Sequence, residues 1–233
     1  MSNLVDIVQD IISLIDLNLE VKGITDMSGV YRVEVCKTTL HLTLCSRVQD
    51  DQGNIYEVTG ISNNEYVDLK PVGHANAFTG NIIVTNPITY LHGSPSSVNN
   101  EYLQIDQLTR NKVPFIWLLE TYTYTPQGQE SSLEAEYSAR LFFMAEELEK
   151  SWSNDDHNNL AIKPMENLAN AFIDAVNGNF SFKTLTDYTI QVRPRFGVEV
   201  VNRGSREKII EEFLTGIELN VNLELYSTNI CKC

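Results

Sequence analysis

The residues of this chain that could do chemistry are scattered, and their spacing matches no known catalytic signature. No two histidines stand three or four residues apart, so no pair can ligate one metal ion from a single helix face: His41, His74, His92 and His157. The sequence also lacks glycine-rich phosphate loops, the H-E-x-x-H zinc motif and the G-x-S-x-G nucleophile turn. We therefore expect no enzymatic activity and no bound cofactor.

Two small clusters of ligand-type residues have simpler interpretations than a metal site. Cys231 and Cys233 resemble half of a thiolate clip that Cys36 and Cys45 could complete, but C-x-C is not the usual spacing of zinc ligands. His157 follows two aspartates, and acids in the first turn of a helix cap it and interact favourably with its dipole. The sequence therefore favours free thiols and a capped helix.

Two tyrosines are better suited to binding than to catalysis. Tyr122 and Tyr124 lie in the otherwise polar segment Thr121–Ser132, which indicates a long loop or an exposed hairpin tip. Aromatic side chains at such positions commonly anchor protein–protein contacts. The alternative, that both rings fold back on their own sheet, agrees equally well with the sequence. Our working hypothesis places both tyrosines in a subunit or partner interface.

Charge is unevenly distributed along a chain that is acidic as a whole. The 31 acidic and 17 basic side chains give a formal net charge of −14, which argues against nucleic-acid binding as the main task. The first 20 residues carry four acids and no base, and the stretch 130–149 is also acidic. A basic stretch reverses the sign with five cations: Arg193, Arg195, Arg203, Arg206 and Lys208. Either these charges are scattered over a solvated surface, or they form complementary patches that meet between copies of the chain.

The elements that must position these residues follow from hydrophobic periodicity. Apolar residues spaced three and four apart predict a helix over 2–17 and a longer one over 155–176. Alternation of apolar and polar residues predicts strands near 115–119, 136–144, 187–193 and 217–226. One face of this sheet should be buried and the other polar. On the polar face we expect charged cross-strand pairs among four residues: Arg140, Arg193, Glu218 and Glu224.

Between the first helix and these strands the pattern is that of a separate β module. Residues 20–98 alternate with period two in short runs, and turn residues separate the runs, as at 50–54. The predicted fold class is therefore α+β, with a four-stranded antiparallel sheet and helices on one face. Residues 1–19 and 99–233 form this part, and residues 20–98 form an inserted small antiparallel β module.

Membrane insertion and export are not predicted. The longest apolar run, near 115–119, is far shorter than the roughly 20 residues that cross a bilayer. The first residues lack a basic region, and Asp6, Asp10 and Asp16 interrupt the apolar ones, which does not predict a signal peptide. The few cysteines favour reduced thiols in a protein made in a reducing cytosol.

Several segments resemble the neck and tail-completion proteins of tailed bacteriophages. The resemblance covers about residues 100–226 and the N-terminal helix, and it is clearest in five stretches: Val113–Glu120, Ala139–Phe143, Ile162–Leu168, Arg195–Glu199 and Phe213–Leu219. It implies a tail-terminator-like fold whose copies form a closed homo-oligomeric ring at the head–tail junction of the virion, without an active site. The implied partners are neighbouring neck, portal or tail proteins. DNA would pass through the lumen without specific binding.

Two other classes of function stay open at this point. The module at 20–98 departs from a minimal terminator, and an adaptor of this kind could bind a receptor, a carbohydrate or other virion proteins. A hydrolase with a dispersed site is the other alternative. Clustering of His74, His92 and carboxylates in one pocket would favour a hydrolase.

Overall fold

The chain is an α+β protein with two larger β-sheets and helices packed on one of them. The computed structural model describes residues 3–15, 18–35, 42, 46–62, 65–73, 76–84, 88–105, 114–127, 133–146, 153–196, 198–201, 205–208 and 214–226. The predicted α+β class is confirmed.

The chain begins with helix α1 (Leu4–Ser13), and the next five strands form one antiparallel sheet. These are β1 (Val21–Asp26), β2 (Tyr31–Val35), β3 (Arg47–Gln49), β4 (Ile55–Ser62) and β5 (Tyr66–Pro71), in the order β1-β2-β5-β4-β3. Two isolated bridges pair Leu19 with Ile82 and Gln49 with Ile83. Because Ile82 and Ile83 are adjacent, they link the residues before β1 to the outer strand β3. Because Leu19 and Ile82 are buried in the core of this sheet, the bridges close it toward a small barrel.

The turn before β4 is organised by a buried carboxylate. Asp50 is fully buried and accepts hydrogen bonds from the backbone N–H groups of Gln52 and Asn54 and from the hydroxyl of Tyr56. Burial raises the pKa of Asp50, but a hydrogen bond from the Asn54 side-chain amide, together with the three just named, outweighs burial and holds the pKa below its ordinary value. The charged form of Asp50 therefore stabilises the turn predicted at 50–54.

The second half of the chain supplies most of a six-stranded sheet and a separate ribbon. Its strands are β6 (Thr89–Gly93), β7 (Phe115–Leu119), β8 (Thr123–Pro126), β9 (Leu133–Glu146), β10 (Tyr188–Phe196), β11 (Val198–Val201), β12 (Ser205–Lys208) and β13 (Leu214–Tyr226). The sheet has the order β10-β13-β9-β7-β6, with β8 also paired to β9, while β11 and β12 pair with each other as a two-stranded ribbon. A Cβ at Gly216 would overlap the carbonyl oxygen of Phe143, so only glycine permits this approach of β13 to β9.

This sheet has six strands rather than the predicted four. The four predicted strands correspond to β7, β9, β10 and β13, which are antiparallel neighbours. Strand β6 adds to β7 in parallel, and β8 pairs with the part of β9 that extends beyond β7. The extra strands therefore occupy edge positions that hydrophobic alternation alone does not specify.

One face of the six-stranded sheet is buried under α1 and a long helical segment near residues 154–177. That segment consists of α3 (Asn154–Asp156), a π-helical stretch (His157–Ile162) and α4 (Lys163–Asn177). The apolar stripes of both helices meet the alternate residues of β9 and β13 in one core: Leu4, Val8, Leu168, Phe172, Leu141, Phe143, Ile217 and Leu219. Both helices predicted from periodicity thus pack on the same face.

The π-helical stretch has a local cause. Pro164 has no N–H and cannot donate to the carbonyl four residues earlier, which disturbs a regular helix at this point. The turn just before it is widened, and the N–H of Lys163 donates to the carbonyl of Asn158, five residues back. The helical segment therefore continues past Pro164 and is unbroken from Asn154 to Asn177.

The prediction that helices cover one face only is wrong, because α2 (Pro95–Gln104) packs on the opposite face. Val98 and Tyr102 of α2 contact a second core formed by the sheet residues that alternate with the first: Leu91, Phe115, Trp117, Phe142, Met144 and Leu214. The Trp117 ring stacks on Phe142 with centroids 4.7 Å apart, and its Nε1 donates to the carbonyl of Gly93. Helix α2 is thus the crossover between the parallel strands β6 and β7.

The strand pairing does not follow the predicted boundary of the inserted module at residue 98. Thr89–Gly93 lies inside that range but forms β6 of the six-stranded sheet. The five-stranded sheet and the six-stranded sheet have separate hydrophobic cores. The division into two domains stays a prediction. The chain passes from the five-stranded sheet to the six-stranded sheet between residues 84 and 89.

Candidate subunit interface and polar sheet face

The two tyrosines predicted to anchor an interface are half-buried against the chain's own core. Their rings lie close to that of Tyr137 on β9, with centroid distances of 6.3 Å for Tyr122 and 5.1 Å for Tyr124. The Tyr122 hydroxyl donates to the Asn3 side-chain oxygen, 3.4 Å away, which also accepts from the N–H of Val5 at the start of α1. The rings therefore fold back on their own sheet, and their role in an interface stays a prediction.

The predicted basic residues divide between the sheet and the ribbon. Arg193 in β10 donates from Nε to Glu218 at 2.7 Å and from a terminal nitrogen to Gln191 at 2.9 Å. Arg195 belongs to β10, and Arg206 and Lys208 belong to β12, by their backbone. Arg203 lies outside the described residues. The role of these cations in a contact between copies stays a prediction.

Glu218 is a buried carboxylate shared by two arginines. It is 2% exposed and accepts hydrogen bonds from the Nε atoms of Arg140 and Arg193, each at 2.7 Å. Burial raises the pKa of Glu218, but the hydrogen bonds and charges of both arginines outweigh burial and hold the pKa below its ordinary value. This pairing on the polar face is the predicted one. Glu224 differs, because it pairs with Lys183 at 2.8 Å.

The tyrosines and the β11–β12 ribbon lie at opposite ends of the six-stranded sheet. Tyr124 pairs with Tyr137, which pairs with Leu223 near the end of β13. The ribbon follows β10 directly, where Phe196 pairs with Leu214 at the beginning of β13. The strand from Leu214 to Leu223 spans about 30 Å at roughly 3.3 Å per residue. The two groups therefore belong to different surfaces of one chain.

The part of the second face that α2 leaves uncovered is an open, polar depression. Its volume is about 440 Å³, and side chains from β9, β10 and β13 contribute to its lining: Ser138, Arg140, Thr189, Asn220 and Asn222. The Ser138 hydroxyl donates to Asn222 at 2.6 Å, and the Asn220 amide donates to Thr189 at 3.3 Å. The lining is therefore rich in hydroxyls and amides, and Asp187 adds a carboxylate to it.

The other residues considered as candidates for chemistry lie at separate places in the fold. His92 is exposed on β6, whereas His157 is buried with its Nδ1 3.5 Å from the Thr215 hydroxyl. Ser153 and Asp156 form a capping box at the start of the helical segment, so the acids beside His157 act in helix capping. The described residues hold no group of three or more His, Cys, Asp or Glu placed to bind a metal. Two histidines and all four cysteines lie outside the described residues: His41, His74, Cys36, Cys45, Cys231 and Cys233.

One exposed aromatic residue was missed by the sequence analysis. Phe180 is 98% exposed and lies two residues after Gly178, the residue that caps the C-terminus of α4. It lies between Asn179 and Ser181, which line a groove of about 270 Å³ beside α1. The available signal was an aromatic residue in a polar turn directly after the predicted helix stop at Gly178.

Comparison with protein-family models, with curated proteins and with solved structures finds no match for this chain. Within the described part of the chain, every helix is too short or too polar to span a membrane.

Proposed function

We propose that this chain is a structural subunit of a ring at the head–tail junction of a tailed bacteriophage. The ring is a neck or collar ring or a tail terminator, and DNA passes through it. Its contacts are with other copies of the chain and with neighbouring neck, portal or tail proteins of the virion. The proposal assigns the chain no catalytic residue and no cofactor.

The observation that carries the proposal is the asymmetry of the six-stranded sheet. One face is buried under α1 and α4, and part of the other is buried under α2. The rest of the second face is polar and open. A sheet that buries one face and leaves a polar surface on the other can line a water-filled lumen. The neighbouring strands β10, β13, β9 and β7, with two helices on one face, also agree with the arrangement that the sequence resemblance implies.

The charges on this open surface fit a conduit that does not retain DNA. Glu218 neutralises one of the two arginines that reach the face, and amides and hydroxyls supply most of the remaining polar groups. The chain as a whole carries a formal net charge of −14. Phosphate binding depends on clustered, unpaired cations, so this surface offers little affinity for DNA.

Measurement of the mass of the purified protein, combined with its location in virions, tests the proposal. Native mass spectrometry should give a discrete closed multimer, and antibody labelling of virions should mark the head–tail junction. A protein that is monomeric both in solution and in the virion would exclude the ring. A ring that labels capsids or fibres instead would exclude the position.

A further inference from the structure

Strand β10 forms one edge of the six-stranded sheet, and within the described residues β13 is the only strand that pairs with it. Alternate residues of an antiparallel strand direct their backbone N–H and C=O groups away from the neighbour they pair with. The outer side of β10 therefore offers a row of donors and acceptors to a further strand. Proline and bulges commonly protect such an edge. Here Pro194 and the register shift between Arg193 and Phe196 protect only the last part of β10.

The side chains in the first part of β10 are exposed on both faces of the sheet. On the helix-covered face, Tyr188 is 39% exposed and Val192 is 47% exposed, while Ile190 between them is half-buried against the core. On the polar face, Thr189 and Gln191 are exposed. Apolar side chains that stay exposed along an unpaired edge are typical of a strand that pairs with another chain.

This part of the strand is complementary to itself when two copies run in opposite directions. About a two-fold axis at Ile190, Tyr188 of each copy lies opposite Val192 of the other, and Ile190 lies opposite its own equivalent. Because directly opposite residues share a face, these side chains form one apolar row on the helix-covered face. The same register places Thr189 opposite Gln191 on the polar face, so a hydroxyl meets an amide.

The charges on the polar face agree with this register. Arg140 and Arg193 share one carboxylate, that of Glu218, so one positive charge at this place is not neutralised. Asp187, which directly precedes β10, is exposed and makes no ion pair with the described residues. In the two-fold register, Asp187 of each copy lies opposite Arg193 of the other. Each copy thus supplies the negative charge that the other lacks.

We infer that the outer edge of β10 binds β10 of a second copy of this chain, in antiparallel orientation about a two-fold axis at Ile190. The two six-stranded sheets then form one continuous sheet, and both copies use the same surface. Backbone hydrogen bonds and the apolar row supply the affinity, and the side-chain pairs fix the register. The inference goes beyond the proposed ring, because a two-fold contact joins two copies and by itself closes no ring.

Val192→Lys tests the contact, because it places a charge in the apolar row opposite Tyr188 of the second copy. Since Val192 is 47% exposed, the separated chain should tolerate the change. We expect the association of two chains in sedimentation equilibrium to weaken at least ~10-fold. Ile24→Lys is the matched control, because Ile24 is 43% exposed on β1, an edge strand of the other sheet. The control should associate as the wild type does.

Disulfide cross-linking tests the register. In a background with the four native cysteines replaced by Ser, a mixture of Thr189→Cys chains and Gln191→Cys chains should form covalent dimers, because directly opposite residues lie within disulfide reach. Either variant alone should cross-link far less. Two equivalent residues are then diagonal neighbours roughly 7–8 Å apart, which is beyond the usual disulfide distance.

The outcomes separate this contact from the proposed ring. Equal association of Val192→Lys and Ile24→Lys, a wild type that stays monomeric, or single cysteine variants that cross-link as strongly as the mixture would each overturn the inference. Two-chain units without a ring would support the inference and count against the proposed function. A ring that Val192→Lys forms with unchanged affinity would overturn the inference and leave the ring.

Discussion

Among single residues, Glu218 controls how much positive charge the open face of the sheet presents. Its carboxylate is 2% exposed, whereas the side chains of Arg140 and Arg193 are 45% and 39% exposed. Glu218→Gln keeps the shape of the side chain but removes its charge, so two arginines remain unneutralised. We expect unfolding in urea to become easier by about 1–3 kcal/mol. We also expect DNA retention in a low-salt gel shift to increase relative to the wild type.

The stability difference between wild type and Glu218→Gln should depend on pH. The pKa of Glu218 in the folded protein is lowered, so its stabilisation is complete above the unfolded carboxyl pKa of about 4.3 and is lost as pH falls through the folded value. The difference should therefore be largest at neutral pH and decrease below about pH 4. Glu224→Gln is the control, since its partly exposed pair with Lys183 should contribute under ~1 kcal/mol. A difference that stays constant down to pH 3 would contradict the assignment.

The sequence located these charged residues better than it located their partners. Alternation with period two is a local property, so it placed Arg140, Arg193 and Glu218 on one face. The choice of Glu218 rather than Glu224 depends on the register of β10 and β9 against β13, which alternation does not determine. The alternation of threonine and tyrosine around Tyr122 was likewise a strand signal, but the polar composition of the segment concealed it.

Among the elements, α4 should contribute most clearly to stability through its buried stripe. Leu168 and Phe172 are fully buried, and the Phe172 ring lies 6.0 Å from that of Phe143 in an edge-to-face arrangement. Replacing either with Ala should lower the free energy of unfolding by about 2–5 kcal/mol, because a cavity remains under the helix. Leu103→Ala, on the partly exposed side of α2, should cost less than ~1 kcal/mol. Chemical denaturation of the three variants measures the difference, and equal losses would contradict the assigned packing.

Elements with strong periodicity were predictable, and those that depend on distant partners were not. The stripe of α4 repeats over several turns and identified the helix directly. Helix α2 buries only Val98 and Tyr102, which is too weak a stripe to indicate a face. Strand β6 pairs in parallel with β7, and α2 lies between the two strands in the sequence. The sequence therefore contains no tight turn that would indicate this pair.

For the whole molecule, the five-stranded sheet is attached at a single place in the backbone. Leu19 and Ile82 exchange backbone hydrogen bonds, and the N–H of Val84 donates to the side chain of Asn18, so the chain enters and leaves this sheet side by side. These pairs join residues about sixty positions apart, and no local pattern predicts them. They explain how a separate core can be carried without interrupting the larger sheet.

Replacing residues 19–83 with a short Gly-Ser link between Asn18 and Val84 should therefore leave the six-stranded sheet folded. Strand β6, strand β10 and Glu218 all lie outside the deleted segment, so the variant should unfold cooperatively and form a ring with the same number of copies. Circular dichroism and native mass spectrometry measure both properties.

Asp50→Ala in the full chain is the companion variant, because it removes the carboxylate that holds the turn before β4. It should destabilise the five-stranded sheet by about 2 kcal/mol or more and leave the remainder unchanged. Aggregation of the deletion variant, or loss of both sheets together in Asp50→Ala, would mean that the two cores fold as one unit.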